Sequence, residues 1–309
     1  MTKAFFLYLS RSAQARRIAM GLPFSHRAAR RFVVGETLDE ALAAVAELNR
    51  EGLLATLDLL GEDVTSPAEA EASTKEVASI LDGIRRTGVD SNLSLKLTQL
   101  GLRVGTELCR KNLGLILQRA TALGNFVRID MEGSDVTEVT LRTYEEARRS
   151  YPNVGVVVQA YLRRTESDLR DRLIPAGASV RLCKGAYKEP PDVAFPSKAD
   201  VDDNYRRLAD LLLSAETRER GVKTAIASHD EAMILHVREK VTRGELGKKD
   251  FEFQMLYGIR RDLQRQLAKE GYRVRIYVSY GTQWYPYFMR RLAERPANVL
   301  FLLKNVLRG

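Results

Sequence analysis

The feature of this sequence that most restricts its fold is a regular alternation of predicted strands and helices that begins near Gly52. Short apolar or alternating runs predict the strands, and runs with helical periodicity predict the helices. One run, VGVVVQA, has no polar side chain before Gln159, which is typical of a parallel strand buried on both faces. The eight predicted strands lie within LLATLDLLGE, NLSLKLTQL, FVRIDME, VGVVVQA, ASVRLCK, TAIASH, FEFQML and VRIYVS.

A helix is predicted after each strand, over residues 66–87, 104–123, 138–149, 167–173, 202–219, 231–243, 259–269 and 284–294. Eight such units with mostly short connections predict an α/β fold, a TIM-like (βα)8 barrel, and 309 residues suit one. An open doubly wound sheet is the structural alternative. That fold would favour a G-x-G-x-x-G motif after the first strand, whereas the sequence there is LLGEDVTS.

Residues 1–51 precede the alternation and predict an N-terminal helical arm that packs on the barrel, which takes residues 52–309 and ends in an apolar tail, NVLFLLKNVL. The clearest helical pattern in the arm spans residues 37–51. The segment KGAYKEPPDVAFPSKAD after the fifth strand is rich in loop-forming residues. In a barrel, such an excursion is a candidate lid or cofactor clamp.

The composition, 45% hydrophobic and 29% charged residues, is that of a soluble globular protein. Neither a secretory signal nor a spanning segment is evident in the sequence, which predicts a cytoplasmic location. The first 31 residues carry seven basic side chains and no acidic one. A solvated helix face would explain the basic side chains of this arm. The arm is also compatible with peripheral contact at the inner face of the cell membrane.

The net charge of +9 raises the alternative of a nucleic-acid binder. The charge is spread along all the predicted helices, and no recognised binding motif is found, so nucleic acid is not an expected partner. Cys109 and Cys183 are too few for a disulfide framework and predict reduced thiols. The three histidines are too scattered to predict a metal site.

Polar residues gather where the predicted strands end, which is the face that carries the active site in (βα)8 barrels. Any one of them has an ordinary structural explanation, but charge buried at so many strand ends at once is costly unless it is paired or used. In strand order these residues are Asp58, Glu62, Lys96, Asp130, Glu132, Gln159, Arg181, Lys184, His229, Gln254, Tyr277 and Tyr280.

The eighth helix adds Arg290 and Arg291, consecutive residues that follow Tyr287. Guanidinium groups suit two-pronged binding of a carboxylate. Lys96 would add a third cation, and Asp130 a carboxylate that compensates the cluster. Together with the flat side chains of the tyrosines and the hydrogen-bonding groups of Gln159, Arg181 and His229, this predicts a site for a small anion beside a large planar cofactor.

A second enzyme class remains open, a Schiff-base aldolase with Lys96 or Lys184 as its nucleophile. Such a lysine lies at a strand end and is activated by loss of solvent or by a neighbouring cation. Serine or cysteine nucleophilic catalysis is not indicated, because the sequence has no G-x-S-x-G motif and neither cysteine has a histidine beside it in the chain.

Several segments resemble the flavin-dependent proline dehydrogenases. These are SLKLTQLGL, VRIDMEGSDVTEVTL, VGVVVQAYLRRT, VRLCKGAYKEP, IASHD, FEFQMLYGI and YVSYGTQWYPYFMRRLAERPAN, in this order over about two-thirds of the chain. The KGAY motif and the pattern Y-x9-Y-x2-RR that ends at Arg291 are the most specific. The chain resembles the monofunctional bacterial type, being too short to include the aldehyde-oxidising domain of the bifunctional proteins.

The resemblance implies FAD in a distorted (βα)8 barrel, with the eighth helix covering the substrate. It implies a clamp on the proline carboxylate by Lys96, Arg290 and Arg291, an apolar box of Leu256, Tyr277 and Tyr287, and a carboxylate, Asp130, that orients the cations. The positions that it implies for the cofactor are Gln159, Arg181, Cys183, Lys184, Gly185, Ala186, Tyr187, Ser197, Ser228, His229, Gln254 and Glu294.

The reaction implied by the resemblance is oxidation of L-proline to 1-pyrroline-5-carboxylate, the first step of proline catabolism. A hydride passes to flavin N5, with Arg181 nearby, and the electrons pass on to a membrane quinone. No residue of the sequence stands out as a dedicated base.

Overall fold

The computed structural model describes Arg17 and residues 29–294, and in it the alternation closes into a barrel of eight parallel strands. The strands pair in chain order, and the first pairs with the last. The predicted (βα)8 barrel is confirmed, and the open sheet is wrong. The strands are β1 (Leu54–Leu59), β2 (Ser91–Leu95), β3 (Val127–Ile129), β4 (Val154–Gln159), β5 (Ser179–Cys183), β6 (Lys223–Ala227), β7 (Phe251–Leu256) and β8 (Val274–Tyr280).

The helices lie around this barrel, and a 3-10 turn, Thr98–Leu100, follows β2. They are α1 (Leu38–Arg50), α2 (Pro67–Thr87), α3 (Thr106–Ala122), α4 (Ser134–Ser150), α5 (Thr165–Asp168, continued by a π turn over Leu169–Leu173), α6 (Lys198–Leu213), α7 (Ala215–Glu219), α8 (Glu231–Thr242), α9 (Arg261–Lys269) and α10 (Trp284–Glu294).

Local sequence signals account for where several helices begin and end. The Thr37 side chain accepts from the backbone of Glu40, and the Glu40 carboxylate accepts in return from the backbone of Thr37, a capping box that starts α1. Ser66 caps α2, and Pro67 takes its first position. Gly88, with φ of 69°, ends that helix in the left-handed conformation that glycine adopts most easily.

The register separates an apolar outer face of the barrel from a polar inner face. Leu57 pairs with Leu93, and such residues pack against the helices in the main hydrophobic core. The next residue, Asp58, pairs with Ser94 on one side and with Ser279 on the other. Because side chains alternate along a strand, every second residue points into the barrel, and this inner set carries the charges.

Several predicted bounds shift by a few residues, as at α4, which begins at Ser134, and two predicted elements differ more clearly from those observed. The single helix over 202–219 is wrong, because Ser214 leaves helical geometry (ψ 152°) and caps α7 by accepting from the backbone of Thr217. The second strand is shorter than NLSLKLTQL suggests, so Lys96 lies just beyond it. Helix α1 matches the predicted helical segment of the arm, and its Ala41, Leu42 and Val45 are buried in the main core.

Of the basic arm, only Arg17 and the stretch from residue 29 are among the described residues. The whole apolar tail, NVLFLLKNVL, lies outside them. The predictions of membrane contact that rest on them therefore stay predictions. Across residues 29–294, no helix is both long and apolar enough to cross a membrane.

Two glycines allow a test of how tightly the barrel wall is packed. A Cβ at Gly155 in β4 would lie 2.7 Å from the Phe126 ring and 2.8 Å from the Ser179 carbonyl oxygen, whereas a Cβ at Gly114 in α3 would contact nothing within 4 Å. We expect Gly155→Ala to lower the free energy of unfolding by about 1–3 kcal/mol through overpacking. Gly114→Ala should raise it by about 0.5–1 kcal/mol, since alanine favours a helix.

Denaturant unfolding of the two variants beside the wild-type protein measures both changes. Equal destabilisation by the two substitutions would contradict the packing described for β4.

Candidate active site

The inner face of the barrel is organised around the Asp130 carboxylate, which follows β3. It accepts from the Tyr277 hydroxyl at 2.6 Å, from the Ser94 hydroxyl at 2.6 Å and from the Arg181 guanidinium. The Arg181 guanidinium carbon also lies 5.1 Å from the centre of the Tyr277 ring. Strands β2, β5 and β8 thus send one side chain each to a single carboxylate. The sequence predicts that Asp130 compensates Lys96, Arg290 and Arg291; in the structure its guanidinium partner is Arg181, and Lys96 Nζ lies 3.9 Å from it.

Lys96 lies between two carboxylates. Its Nζ donates to Asp58 Oδ1 at 2.9 Å and lies 3.9 Å from Asp130 Oδ2. Asp58 is fully buried, and its other oxygen accepts from Ser279 at 3.4 Å. The sequence pointed to Asp58 as a polar strand end, but its pairing with Lys96 was not predicted, because it joins residues 38 positions apart.

The electrostatics of this cluster follow from burial and pairing together. Burial alone would raise the pKa of Asp130, but Arg181 and Lys96 outweigh it and hold that pKa below its ordinary value. Burial dominates at Asp58 and raises its pKa, only partly offset by Lys96. Burial would lower the pKa of Lys96, yet Asp58 and Asp130 raise it, so the lysine is a fixed cation.

A charged Lys96 does not suit a Schiff-base nucleophile, which must be neutral to attack. Lys184, the other candidate, is equally engaged: its Nζ donates to Asp230 at 2.7 Å and also to Asp202. The geometry therefore disfavours the aldolase alternative. It also commits the Lys184 side chain to these carboxylates, so that a contact with a cofactor would fall to its backbone.

Gln254 supports Arg181 from below. Its amide nitrogen donates to Glu252, and its oxygen accepts from Arg181 Nη1 at 3.3 Å. A carboxylate only accepts and a guanidinium only donates, so this orientation of the amide is fixed by its partners. Glu252 is in turn held by Arg275 Nε at 2.9 Å. Both polar ends of Gln254 are thus bound within the protein, which makes it a support of Arg181 in this structure.

Helix α10 brings the two predicted arginines to the mouth of the barrel. Arg290 donates to Glu62 at 2.7 Å and 3.3 Å, a two-pronged ion pair with the loop after β1. Arg291 is buried, and its guanidinium carbon lies 4.9 Å from the centre of the Tyr287 ring. Tyr287 belongs to the hydrophobic cluster beneath this helix, and the partly buried Leu256 packs against that cluster. The Glu62 pairing was not predicted, although Glu62 was recognised as a strand-end residue.

The loop after β5 reaches back over this cluster. Tyr187 is half-buried, and its pKa is raised by burial and next by the charge of Glu62, with Arg290, Glu132 and Lys96 also near enough to act on it. Gly185 has φ of 107°, and a Cβ there would lie 2.2 Å from the Tyr161 ring. The KGAY motif therefore passes so close to the Tyr161 ring that only glycine fits at position 185. Ala186 and Cys183 are half-buried beside it.

The remaining predicted cofactor positions are spread around the strand ends. Gln159 donates to the Glu132 carbonyl at 2.9 Å, and the buried Ser228 accepts from the Asp230 backbone at 3.0 Å. His229 Nε2 accepts from the Leu256 backbone at 2.7 Å, so a neutral ring carries its proton on Nδ1.

Two predicted positions do not join this group. Ser197 is exposed and caps α6 by accepting from Asp200. Glu294 is the last residue of α10, and its side chain lies outside what the structure describes. In residues 29–294, no group of three or more His, Cys, Asp or Glu side chains could hold a metal ion.

Comparison with known proteins decides the family. A family model described as proline dehydrogenase matches residues 41–304. The chain belongs to the proline dehydrogenase family. The membership expected from the KGAY and Y-x9-Y-x2-RR motifs is thus confirmed, and the protein is an enzyme of this family.

Two bacterial members are similar along most of their length. Proline dehydrogenase 1 of Bacillus subtilis (strain 168) is 42% identical over 308 residues, covering 100% of both chains. The proline dehydrogenase of Deinococcus radiodurans is 43% identical over 286 residues, covering 91% of this chain and 90% of that one.

Among solved structures, proline utilization A from Bdellovibrio bacteriovorus, inactivated by N-propargylglycine, superposes with a TM-score of 0.80 and 26% identity. The match covers 87% of this chain and 33% of that larger one. The barrel therefore corresponds to about a third of that protein.

Glu132 makes the stability of the folded state depend on pH in a way that can be measured. It is buried and accepts from the Thr98 backbone at 3.2 Å and from the Thr98 hydroxyl, but burial outweighs these bonds and raises its pKa from 4.5 to about 7. The unfolded chain releases this proton from about pH 4.5, whereas the folded chain keeps it to about pH 7. Ionisation of Glu132 therefore destabilises the folded state progressively over that window, and fully above it.

We expect Glu132→Gln to remove this effect. Its free energy of unfolding, minus that of the wild-type protein, should rise between pH 5 and pH 8 by on the order of 3 kcal/mol. Denaturant titrations at several pH values give the difference directly. A difference that stays constant with pH would show that Glu132 ionises at its ordinary pKa.

Proposed function

We propose that this enzyme oxidises L-proline to 1-pyrroline-5-carboxylate with FAD as its cofactor, the first step of proline catabolism. The observation that carries the proposal is the cluster of Lys96, Arg181 and Tyr277 around Asp130, with Arg290 and Arg291 on the helix above it, in a chain of the proline dehydrogenase family. Each part of the cluster has a chemical task in this reaction.

Binding of the substrate carboxylate is assigned to Lys96, Arg290 and Arg291. The first two are cations held by carboxylates of the protein, Asp58 and Glu62, and Arg291 is buried beside the Tyr287 ring. An incoming carboxylate therefore competes with Glu62 for Arg290 and gains charge-assisted hydrogen bonds. Tyr277, Tyr287 and Leu256 would form the walls around the ring.

The chemistry of the donors suits a flavin beside that ring. A flavin presents several acceptor atoms and one ring N–H along one edge, so that it needs mainly donors and one acceptor. Arg181 is a buried donor, and the amide of Gln159 spends its nitrogen on Glu132, which leaves its oxygen to accept. The glycine of KGAY packs its backbone against Tyr161, two residues after Gln159. Bound there, FAD would supply the acceptor for the hydride that leaves proline.

The protein's own groups orient the substrate and fix the local charge. Holding the carboxylate places the ring in one orientation, which replaces a chance encounter by a fixed geometry. Arg181 is kept in place by Asp130 and Gln254. Its positive charge would favour the reduced, electron-rich state of a bound flavin. The Tyr187 loop and α10 would exclude water from the space between them.

The electrons then leave the enzyme, and we propose a membrane quinone as their acceptor. With no spanning helix among residues 29–294, the protein would meet such a quinone by peripheral contact at the inner face of the cell membrane, from the cytoplasm. The basic arm, with seven basic side chains in residues 1–31, and the apolar tail suit that contact.

The visible absorption spectrum tests the proposed function. The purified protein should be yellow, absorb at about 450 nm, and lose this band when L-proline is added without oxygen. Pyrrolidine, which lacks the carboxylate, is the matched control and should leave the band unchanged at the same concentration. A colourless protein that is trapped by borohydride with its substrate would instead support the aldolase alternative.

The carboxylate clamp has its own test in Arg290→Met. Loss of a charge-assisted bond to a buried carboxylate costs about 1.5–3 kcal/mol, so the KM for proline should rise at least about tenfold. The flavin content should be unchanged. Steady-state kinetics and the ratio of flavin to protein give both quantities.

Arg265→Met is the control for this substitution. It breaks an equally close pair, Arg265 with Glu51 at 2.7 Å and 2.8 Å, on the exposed outer surface. Normal kinetics for both variants would remove Arg290 from the clamp.

A further inference from the structure

Residues 29–35, here called the rim segment, run along the mouth of the barrel beside β8. Val33 forms a parallel bridge with Ser279, and the Val34 backbone donates to the Ser279 carbonyl at 3.1 Å. The Gly281 backbone donates to the Gly35 carbonyl at 3.0 Å. The segment thus continues the hydrogen-bonded sheet at the point where β8 leads into α10.

Gly258, in the turn after β7, fixes the rim segment from the other side. It has φ of 75°, and a Cβ built on it would lie only 1.7 Å from the Arg31 carbonyl oxygen. This approach of two backbones requires glycine, both for the positive φ and for the space. Any larger residue must push the rim segment away, because the obstructing atom belongs to the backbone.

Helix α10 packs against Phe32 of the rim segment. This side chain is 1% exposed, and its ring centre lies 6.1 Å from that of Phe288. Both belong to the cluster that includes Trp284, Tyr287 and Met289. Phe288 precedes Arg290 and Arg291 by two and three residues, so that a movement of Phe32 displaces the helix that carries them.

The segment also touches the second part of the carboxylate clamp. Ser279, whose backbone it bonds, donates from its side chain to Asp58 at 3.4 Å, and Asp58 holds Lys96. One short stretch of chain therefore contacts the supports of both cationic groups.

We infer that Gly258 and Phe32 are positioning residues for substrate binding, because they hold the rim segment that sets the places of Arg290, Arg291 and Lys96. The inference rests on the proposed function of these cations. Arg181 is supported separately, by Asp130 and Gln254. A displaced rim segment should therefore weaken carboxylate binding and leave the flavin environment unchanged.

Gly258→Ala in the flavin-loaded enzyme tests this role, with Gly244→Ala as its matched control. Gly244 has the same φ of 75°, but a Cβ there would contact nothing within 4 Å, and it lies after α8, in the connection that leads to the start of β7. Both substitutions impose the same backbone strain, and only the first obstructs the rim segment. The ligand for binding is the ring-oxygen analogue of proline, which carries the carboxylate but has no CH–NH bond to oxidise.

We expect Gly258→Ala to raise both the KM for proline and the Kd of the analogue at least about tenfold, or about 1.4 kcal/mol. The kcat at saturating proline and the flavin midpoint potential should stay close to the wild-type values, as expected when only substrate binding is lost. Gly244→Ala should leave all four quantities unchanged. Phe32→Ala should weaken binding in the same way, and Phe32→Leu, which keeps apolar volume, should restore most of it.

The inference is overturned if the Gly258 variant binds the analogue normally, if Gly244→Ala weakens binding equally, or if the midpoint potential moves with Kd. Should Gly258→Ala fail to fold, the two Phe32 variants decide the matter by the same measurements. The wild-type enzyme separates this inference from the proposed function: a flavin band that proline does not bleach overturns the function, whereas the variants compare only affinities.

Discussion

The rest of the barrel interior depends on the hydrogen bonds and ion pairs that the Asp130 carboxylate makes. Arg181, Tyr277 and Ser94 come to it from three different strands, and Lys96 lies 3.9 Å away. Breaking a buried ion pair by removing one partner leaves an uncompensated charge, which typically costs about 3–5 kcal/mol. The same carboxylate therefore holds the site in shape and fixes how the strands stand relative to one another.

Below this cluster, the interior of the barrel contains further buried charged residues, each held by hydrogen bonds. Arg128 donates to the Ser179 carbonyl at 2.6 Å, and burial, followed by the nearby charge of Arg181, lowers its pKa to about 9. Glu252 holds Arg275 and the amide of Gln254. The apolar core lies instead between the strands and the helices, which explains why an enzyme with so many buried charges still shows regular apolar strand patterns.

The sequence predicts those elements whose signals are local. The run FEFQML coincides with β7, and the eighth predicted helix coincides with α10, because apolar periodicity and turn residues act over a few positions. The pairings of Glu62 with Arg290 and of Lys184 with Asp202 and Asp230 depend on side-chain directions in the closed barrel, and no spacing in the chain encodes them. The break at Ser214 was hidden because the residues around it favour helix on both sides.

The seam between β1 and β8 has a consequence for the order in which the chain acquires its structure. Six registered pairs, from Leu54 with Arg275 to Leu59 with Tyr280, join residues more than 200 positions apart. Pairings of such long sequence separation form slowly, since the loop they close costs entropy before any contact rewards it. Asp58 and Ser279 face each other across this seam, so the support of Lys96 is completed only when the barrel closes. An incompletely folded chain would hold most of the helices and strands and still lack the completed charge cluster inside the barrel.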